Sequence, residues 1–361
     1  MNGTADHGSQ SAARENRNAP VAAAEAQADD GLYGALRDIL KAAGCFEPTP
    51  WIVALKIVVL LSANAAAWLL LLSAPDWPIR VLALAVLACA HAQCGFLAHD
   101  AFHGTLSGRR RLDEFLGQLL LSFTTGLSYS YFFKRNHRLH HAQCGRETED
   151  PEMQSDILAL YGDAARTKSG FSRWTTRHQA WLFWLLLSVN TFSLRLSGLA
   201  FVRQYPDSTR SDQAAILLHA AAWLVLPALV LGVADAAVNY VALTWFSGIY
   251  LTGIFPFYHV GCRTLRADET ASFLRQQIEG TRNMSSSWLA ELYAGGTNNH
   301  IEHHLFPGIP TARLRRARSL TRAFCRARGI AYNETGYRAA LGVMTRHLSA
   351  LARQAAAGGS A

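Results

Sequence analysis

Four long apolar runs limit what this chain can become, because a helix of about 20 apolar residues is the length that crosses a bilayer. Trp51 to Ser73 is the first, set off by Pro48 and Pro50. Val81 to Ala98 follows the turn Ala74-Pro75-Asp76-Trp77-Pro78, so the two form a hairpin. Gln213 to Val233 and Ala236 to His259 form a second hairpin around Gly232 and Asp235. The expectation is an all-α integral membrane protein with four transmembrane helices, at about residues 51–73, 81–98, 213–233 and 236–258.

Composition agrees, with 50% apolar residues and 17% charged ones, against roughly 25% charged in an average soluble domain. Phe115 to Phe133 and Trp181 to Phe201 are apolar too, but Ser, Thr, Gly and Arg195 interrupt them, so they are expected to lie at the membrane interface. Charge placement gives the orientation, since cytoplasmic segments collect Lys and Arg. The short loops hold only Arg80, whereas residues 99 to 212 and 260 to 361 hold 14 basic residues each. A multi-pass protein with both termini and the long segments in the cytoplasm is expected.

The net charge of +8 comes without a nucleic-acid motif, so anionic lipid is the better counterpart and no nucleic-acid partner is expected. Six scattered cysteines form no CxxC pair and read as reduced thiols. Residues 1–30 lack the features of a signal peptide and read as a disordered tail. Residues 31–350 make one membrane domain, and residues 351–361 a flexible end.

Three histidine clusters carry the chemistry: His99-Asp-Ala-Phe-His103, His137-Arg-Leu-His140-His141 and His300-Ile-Glu-His303-His304. Residues spaced i, i+3 and i+4 share one helix face, so each cluster can aim its imidazoles at one point. With four spans, all three clusters fall on the same side of the membrane. Imidazole suits zinc, copper, iron and nickel, so ligand type does not name the metal. Ligand number does more: a zinc site takes three or four protein ligands, so eight histidines imply two metal ions, and an O2-activating iron pair is the natural candidate. Asp100, Glu149, Asp150 and Glu302 are near enough in sequence to orient ring nitrogens. His91 and His219, inside the spans, are expected to be hydrogen-bonded within the bundle, and His7, His178 and His347 to lie at the surface.

These residues resemble the membrane fatty acid desaturase family, whose pattern is HxxxH or HxxxxH, then HxxHH, then (H/Q)xxHH. Gly295-Gly296-Thr297-Asn298-Asn299-His300-Ile301-Glu302-His303-His304-Leu305-Phe306-Pro307 is especially similar to acyl-lipid and acyl-CoA desaturases, as are Lys134 to His141, Asp150-Pro151 and Gly329 to Asn333. The resemblance implies four transmembrane helices under a cytosolic helical cap that holds two iron ions. It also implies a ninth ligand, His259, after the fourth helix. The metal and catalytic set is then His99, His103, His137, His140, His141, His259, His300, His303 and His304. The chain departs from the pattern at His300, where front-end members usually carry Gln, and at Phe255, where some relatives carry Asn.

The activity implied is O2-dependent desaturation of a lipid acyl chain, with hydroxylation by the same centre as the alternative. The acyl group would arrive on CoA, acyl-carrier protein or a membrane lipid. The chain has no His-Pro-Gly-Gly haem motif, so a separate donor, a ferredoxin or a cytochrome b5-like protein, is expected to supply electrons to the basic face. Trp245, Phe246, Tyr250 and Phe257 on the fourth span are read as helix or lipid contacts.

Overall fold

The computed structural model describes residues 28–73 and 76–357. Each apolar run is helical, because a backbone buried in hydrocarbon must satisfy its own N–H and C=O groups. Pro50–Ser73, Trp77–Phe102, Asp207–Leu231 and Val233–His259 are long and apolar enough to cross a membrane. Their ends differ from the sequence-based bounds for local reasons. Proline is tolerated in a helix's first turn, so the second span starts at Trp77 behind Asp76 and runs to Phe102, which takes His99 into its last turn. Gly232, at φ 87°, stops the third span at Leu231. The fourth is continuous to Thr252, and one further turn, Pro256–His259, completes it beyond Gly253.

The spans are not equivalent. In the second and fourth, 61% and 44% of the apolar window is buried, against 17% in each of the other two. The outer spans instead expose Leu55, Val58, Leu69, Leu229 and Val230, a surface stable only against lipid. The inner spans therefore form the core, and they are the ones that end on His99 and His259. Arg80 and Asp235, from the first turns of the second and fourth spans, pair at 2.5 Å and tie the hairpins together at one end.

Phe115 to Phe133 forms no span. The helix Arg110–Gln118 runs into a π-helical turn at Leu119–Phe123, and a second such stretch, Ser130–His137, leads into the helix Arg138–Gln143. Between them the chain folds back at Gly126, where φ is 73°. One carboxylate holds this loop: fully buried Asp212 accepts from the Ser122 and Ser128 hydroxyls and from the backbone N–H groups of Tyr129 (3.2 Å) and Ser130 (3.1 Å). Trp181 to Phe201 is a pair of helices, Gln179–Ser188 and Asn190–Gln204, bent by 56°. Arg195, read from sequence as an interfacial charge, is buried; its guanidinium donates to Thr244 Oγ1 at 2.7 Å and to the Thr125 carbonyl at 2.6 Å.

A second helical layer gathers around the histidine-bearing ends of the inner spans. Its helices 28–42, Phe273–Gly280, His300–Leu305 and Thr311–Ala327 share a core of Leu36, Leu40, Leu274, Ile301, Leu305, Leu314 and Phe324. A two-residue parallel pair, Asn283–Met284 with Glu334–Thr335, joins it to the final helix, Tyr337–Ala357. Helix reaches into both of the ranges expected to be tails. Residues 1–27 lie outside the described residues, but 28–30 are helical, and Asp29 is buried against Ser272 and Arg275. The final helix passes 351 and ends at Ala357, with Leu351 and Ala355 buried, because its apolar stripe continues against the layer.

Replacing Asp212 by Ala takes the acceptor from the Ser122 and Ser128 hydroxyls and the Ser130 N–H, while Tyr129 N–H keeps Ser122 Oγ at 3.1 Å, and a hydrogen bond to a charged group contributes about 1.5–3 kcal/mol. Asp212→Ala should therefore lower stability by at least about 3 kcal/mol. Unfolding in detergent checks this, with exposed Asp207→Ala as the variant that should not change it.

Candidate metal centre

The second span supplies His99 from its last turn and His103 from its C-cap, one turn further on. The folded-back loop delivers His137, His140 and His141 through the junction of a π-helical turn and an α-helix. His300, His303 and His304 lie on a single buried helix, and His259 ends the fourth span. Separated by up to 205 positions in the sequence (304 minus 99), these side chains meet in one place.

Two groups form. In the first, His99, His103, His137, His141 and His303 offer nitrogens that all lie within 4.8 Å of one another. Nε2 of His137 is 3.2 Å from that of His103 and 3.0 Å from that of His141, and His141 Nε2 is 3.0 Å from His303 Nε2. Protons cannot account for this chain of contacts, because a neutral imidazole nitrogen carries either one N–H or one lone pair. His137 Nε2 can thus bond one neighbour, not two. A cation at the focus accounts for all of them: with metal–nitrogen bonds of about 2.1 Å, ligands at right angles lie about 3 Å apart.

In the second group, His140, His259 and His304 stand together with Cys144, and His300 Nε2 lies 2.8 Å from His259 Nε2. The His141 and His304 rings stack at 4.3 Å and join the two groups. Partners on the far nitrogen set the ring orientation here. His140 Nδ1 meets the Asp150 carboxylate at 2.9 Å, His259 Nδ1 donates to the Gly280 carbonyl at 3.1 Å, and His304 Nδ1 donates to Gln277 Oε1 at 2.9 Å. A proton held at Nδ1 leaves the Nε2 lone pair pointing inward. His304 Nε2 is buried with no hydrogen-bond partner, which suits a ligand atom.

Electrostatics keep most of these rings ready to bind. Burial, reinforced by the neighbouring imidazoles, holds His103, His137, His141, His300, His303 and His304 well below the ordinary histidine range. They are neutral at pH 7, the form that binds metal. His140 differs: burial pulls it down, but the Glu152 and Asp150 carboxylates reverse this and raise it to about 9.

Among the orienting acids read from sequence, Asp150 takes that place and also accepts from Gly145 N at 2.8 Å and Glu152 N at 2.9 Å. The other three do not bond a ring. Asp100 is 3.6 Å from His99 Nδ1 and accepts from Thr311 instead. Glu149 is exposed. Glu302 turns away to Asn283 Nδ2 and the Tyr332 hydroxyl, each at 2.8 Å. Sequence reading missed Gln277, the Gly280 carbonyl, Glu152 and Cys144, and no motif marks them. The Cys144 thiol is raised well above its usual range by burial, then by Asp150 and Glu152. It lies 3.8 Å from His259 Nδ1, the ring nitrogen that also faces Gly280, so it belongs behind that ring.

Outside the centre, His219 is hydrogen-bonded as expected, to the Phe123 carbonyl and the Tyr240 hydroxyl. His91 is not: it is buried edge-on against Trp223 with neither nitrogen bonded, because that face packs on a ring that offers no acceptor. His178 and His347 are partly exposed, and His7 lies outside the described residues. Trp245 donates to Ser188 Oγ, Phe246 and Phe257 pack among neighbouring helices, and Tyr250 bonds Gln93, so all four aromatics make helix contacts.

Four helices long enough to cross a membrane, the inner two ending at a cluster of imidazoles that could hold metal ions, define a membrane protein with a candidate metal centre. The chain belongs to the fatty acid desaturase family, whose model, "Fatty acid desaturase", matches residues 75–336. It is 26% identical over 305 residues to the Acyl-lipid (9-3)-desaturase of Physcomitrium patens, covering 78% of this chain and 55% of that protein. It is also 26% identical over 322 residues to Fatty acid desaturase 3 of Bos taurus, covering 86% and 70%. A third relative, the Delta 8-(E)-sphingolipid desaturase of Kluyveromyces lactis, is 26% identical over 290 residues, covering 74% and 50%. The chain thus spans only part of the length of these relatives.

Groups that orient metal ligands are commonly worth 10- to 100-fold in affinity. Asp150→Ala should therefore weaken metal binding by about 10- to 100-fold, and metal analysis of the purified protein against chelator concentration measures it.

Proposed function

We propose that this protein is an O2-dependent membrane desaturase that introduces a carbon–carbon double bond into a lipid acyl chain. One observation carries the reading: nine imidazoles, contributed by both inner spans, the folded-back loop and the His300–Leu305 helix, crowd into one buried volume at contact distances that fit cations. In this proposal His99, His103, His137, His141 and His303 hold one iron, and His140, His259, His300 and His304 hold the other. Zinc is disfavoured at the first focus, where five imidazoles meet, since its sites take three or four protein ligands, and iron is the metal this family uses.

Bound iron would supply dioxygen activation; overall, two hydrogens leave adjacent methylenes and, with two electrons and two protons from outside, O2 becomes water. The residues of the chain do the rest. The neutral rings of His103, His137, His141, His300, His303 and His304 would hold the metals without a prior proton loss, whereas His140 would give one up, and Asp150, Gln277 and the Gly280 carbonyl keep three rings from turning. Tyr258 stacks on His300 at 4.3 Å and bonds Thr297 at 2.9 Å, which holds that ring against the apolar core. Phe255, where some relatives carry Asn, faces Phe96 with ring centroids 6.0 Å apart and keeps that flank apolar. Exclusion of water and a fixed chain position matter because a misplacement of about 1 Å can reduce the rate about 100-fold.

The basic segments favour placing the histidine-bearing layer, as a cap, on the cytoplasmic side. Exposed Arg316 and Arg326 on the Thr311–Ala327 helix suit an acidic electron donor such as a ferredoxin or a cytochrome b5-like protein. The names of the relatives support a lipid-borne acyl substrate.

His303→Ala should abolish double-bond formation while the protein still enters the membrane, because His303 lies outside the spans. Mass analysis of lipids from cells expressing each form checks this. The unaltered protein should give chains that have lost two hydrogens; chains that have gained one oxygen would overturn desaturation in favour of hydroxylation.

A further inference from the structure

The helix Trp288–Tyr293 takes no part in the metal centre, and its composition is wrong for an aqueous surface. Trp288, Leu289 and Leu292 are 68%, 58% and 64% exposed. This helix lies across the exposed edge where the second and fourth spans meet. Gln93 of the second span donates its side-chain amide to the Leu292 carbonyl (2.8 Å), the Tyr293 carbonyl (3.1 Å) and the Tyr250 hydroxyl (3.0 Å). Tyr250 of the fourth span donates to the Tyr293 carbonyl at 2.7 Å, and Tyr293 donates back to the Tyr250 carbonyl at 3.2 Å. The two tyrosine rings pack at 4.7 Å, in space left by Gly253, where a Cβ would come within 2.4 Å of the Tyr293 hydroxyl. A polar latch thus closes the seam between the two inner spans.

Behind the latch the seam is apolar and short. Phe96 follows Gln93 by one turn and His99 follows Phe96 by another, so latch and ligand are about 9 Å apart along the helix. Phe96, Ile254, Tyr258 and Ala294 fill that interval, and Gly295 has no side chain where Phe96 packs. The covering helix leads through Gly295 and Gly296, both at positive φ, directly into His300. On the outside, the exposed faces of the same spans continue the apolar surface with Val86, Trp245 and Ile249. Trp and Tyr beside such a surface are the residues that sit at the boundary between hydrocarbon and headgroups.

We infer that this seam is the port through which the acyl chain of a bilayer lipid passes sideways to the histidine centre, with Gln93, Tyr250 and Tyr293 as its latch and the Trp288–Tyr293 helix as its lipid-immersed cover. The inference rests on the desaturase reading and makes the substrate a membrane-resident lipid. The latch hydrogen bonds are strong where water does not compete, and lipid ester oxygens can replace the acceptors when the latch opens.

The test uses the full chain in phosphatidylcholine vesicles whose lipid carries a diazirine at the middle of one acyl chain, with photolysis followed by peptide mass mapping. Label is expected on Trp288–Tyr293 and, more weakly, on Phe96 and Ile254. Tyr250→Phe keeps the ring but removes a hydroxyl that makes two latch hydrogen bonds, and should raise the inner label at least about fivefold, the shift that a single hydrogen bond implies. Gln93→Leu should raise it further, and Tyr250→Phe decides if that variant does not fold. Label confined to the outer spans, or inner label equal in all three proteins, overturns the port. So does label on Phe96 from a diazirine acyl-CoA in water but not from vesicle lipid. Labelling needs no turnover, so the expected pattern on a protein that forms no double bond would remove the desaturase reading and leave the port standing.

Discussion

Imidazole nitrogens held about 3 Å apart in a buried space are the constraint to which the remainder of this molecule answers. Neutral rings with one proton each cannot satisfy the contacts among His103, His137, His141 and His303. Charged rings would repel one another, and burial adds to that penalty. Cations at the foci, as proposed, would relieve both conflicts, and metal binding and folding of this region would then be coupled. Asp150, Gln277 and the Gly280 carbonyl, on the far side of three rings, fix the tautomer that makes such binding possible.

The membrane helices divide their work accordingly. The outer spans mainly face hydrocarbon, the third also supplying Asp212 and His219 to the bundle, whereas the inner pair is packed from the Arg80–Asp235 bridge at one end to the histidines at the other. A loop between the first two clusters that crossed the membrane would have put them on opposite sides. Asp212 prevents this by gathering Ser122, Ser128, Tyr129 and Ser130 onto one carboxylate. That polar fold-back is affordable in apolar surroundings only because each donor finds an acceptor. The same economy of polar groups holds at the Gln93–Tyr250–Tyr293 latch, where reciprocal hydrogen bonds close an otherwise apolar seam.

Much of this was legible in the residues. Runs of about 20 apolar residues have one outcome in a bilayer, and the spacing within His137–His141 and His300–His304 is a property of the helix itself. Less legible were features in which partners come from far along the chain. Glu302 sits inside a histidine cluster and looks like its orienting acid, yet it faces Asn283 and Tyr332. Gln277 has no neighbour in sequence that hints at His304, 27 positions away. Arg195 looks interfacial by charge, and only the packing of the bent helix pair reveals it bonded to Thr244 and Thr125 inside the bundle.

Local composition and periodicity by themselves determined that this chain spans a membrane as helices and carries imidazoles in sets that share a face, because both follow from interactions within a few residues. Which span lies inside, which five rings share one focus and which group stands behind each ring were decided by tertiary structure. Those choices depend on contacts between segments up to 205 positions apart (304 minus 99), and a pattern of period 3.6 carries no information about them.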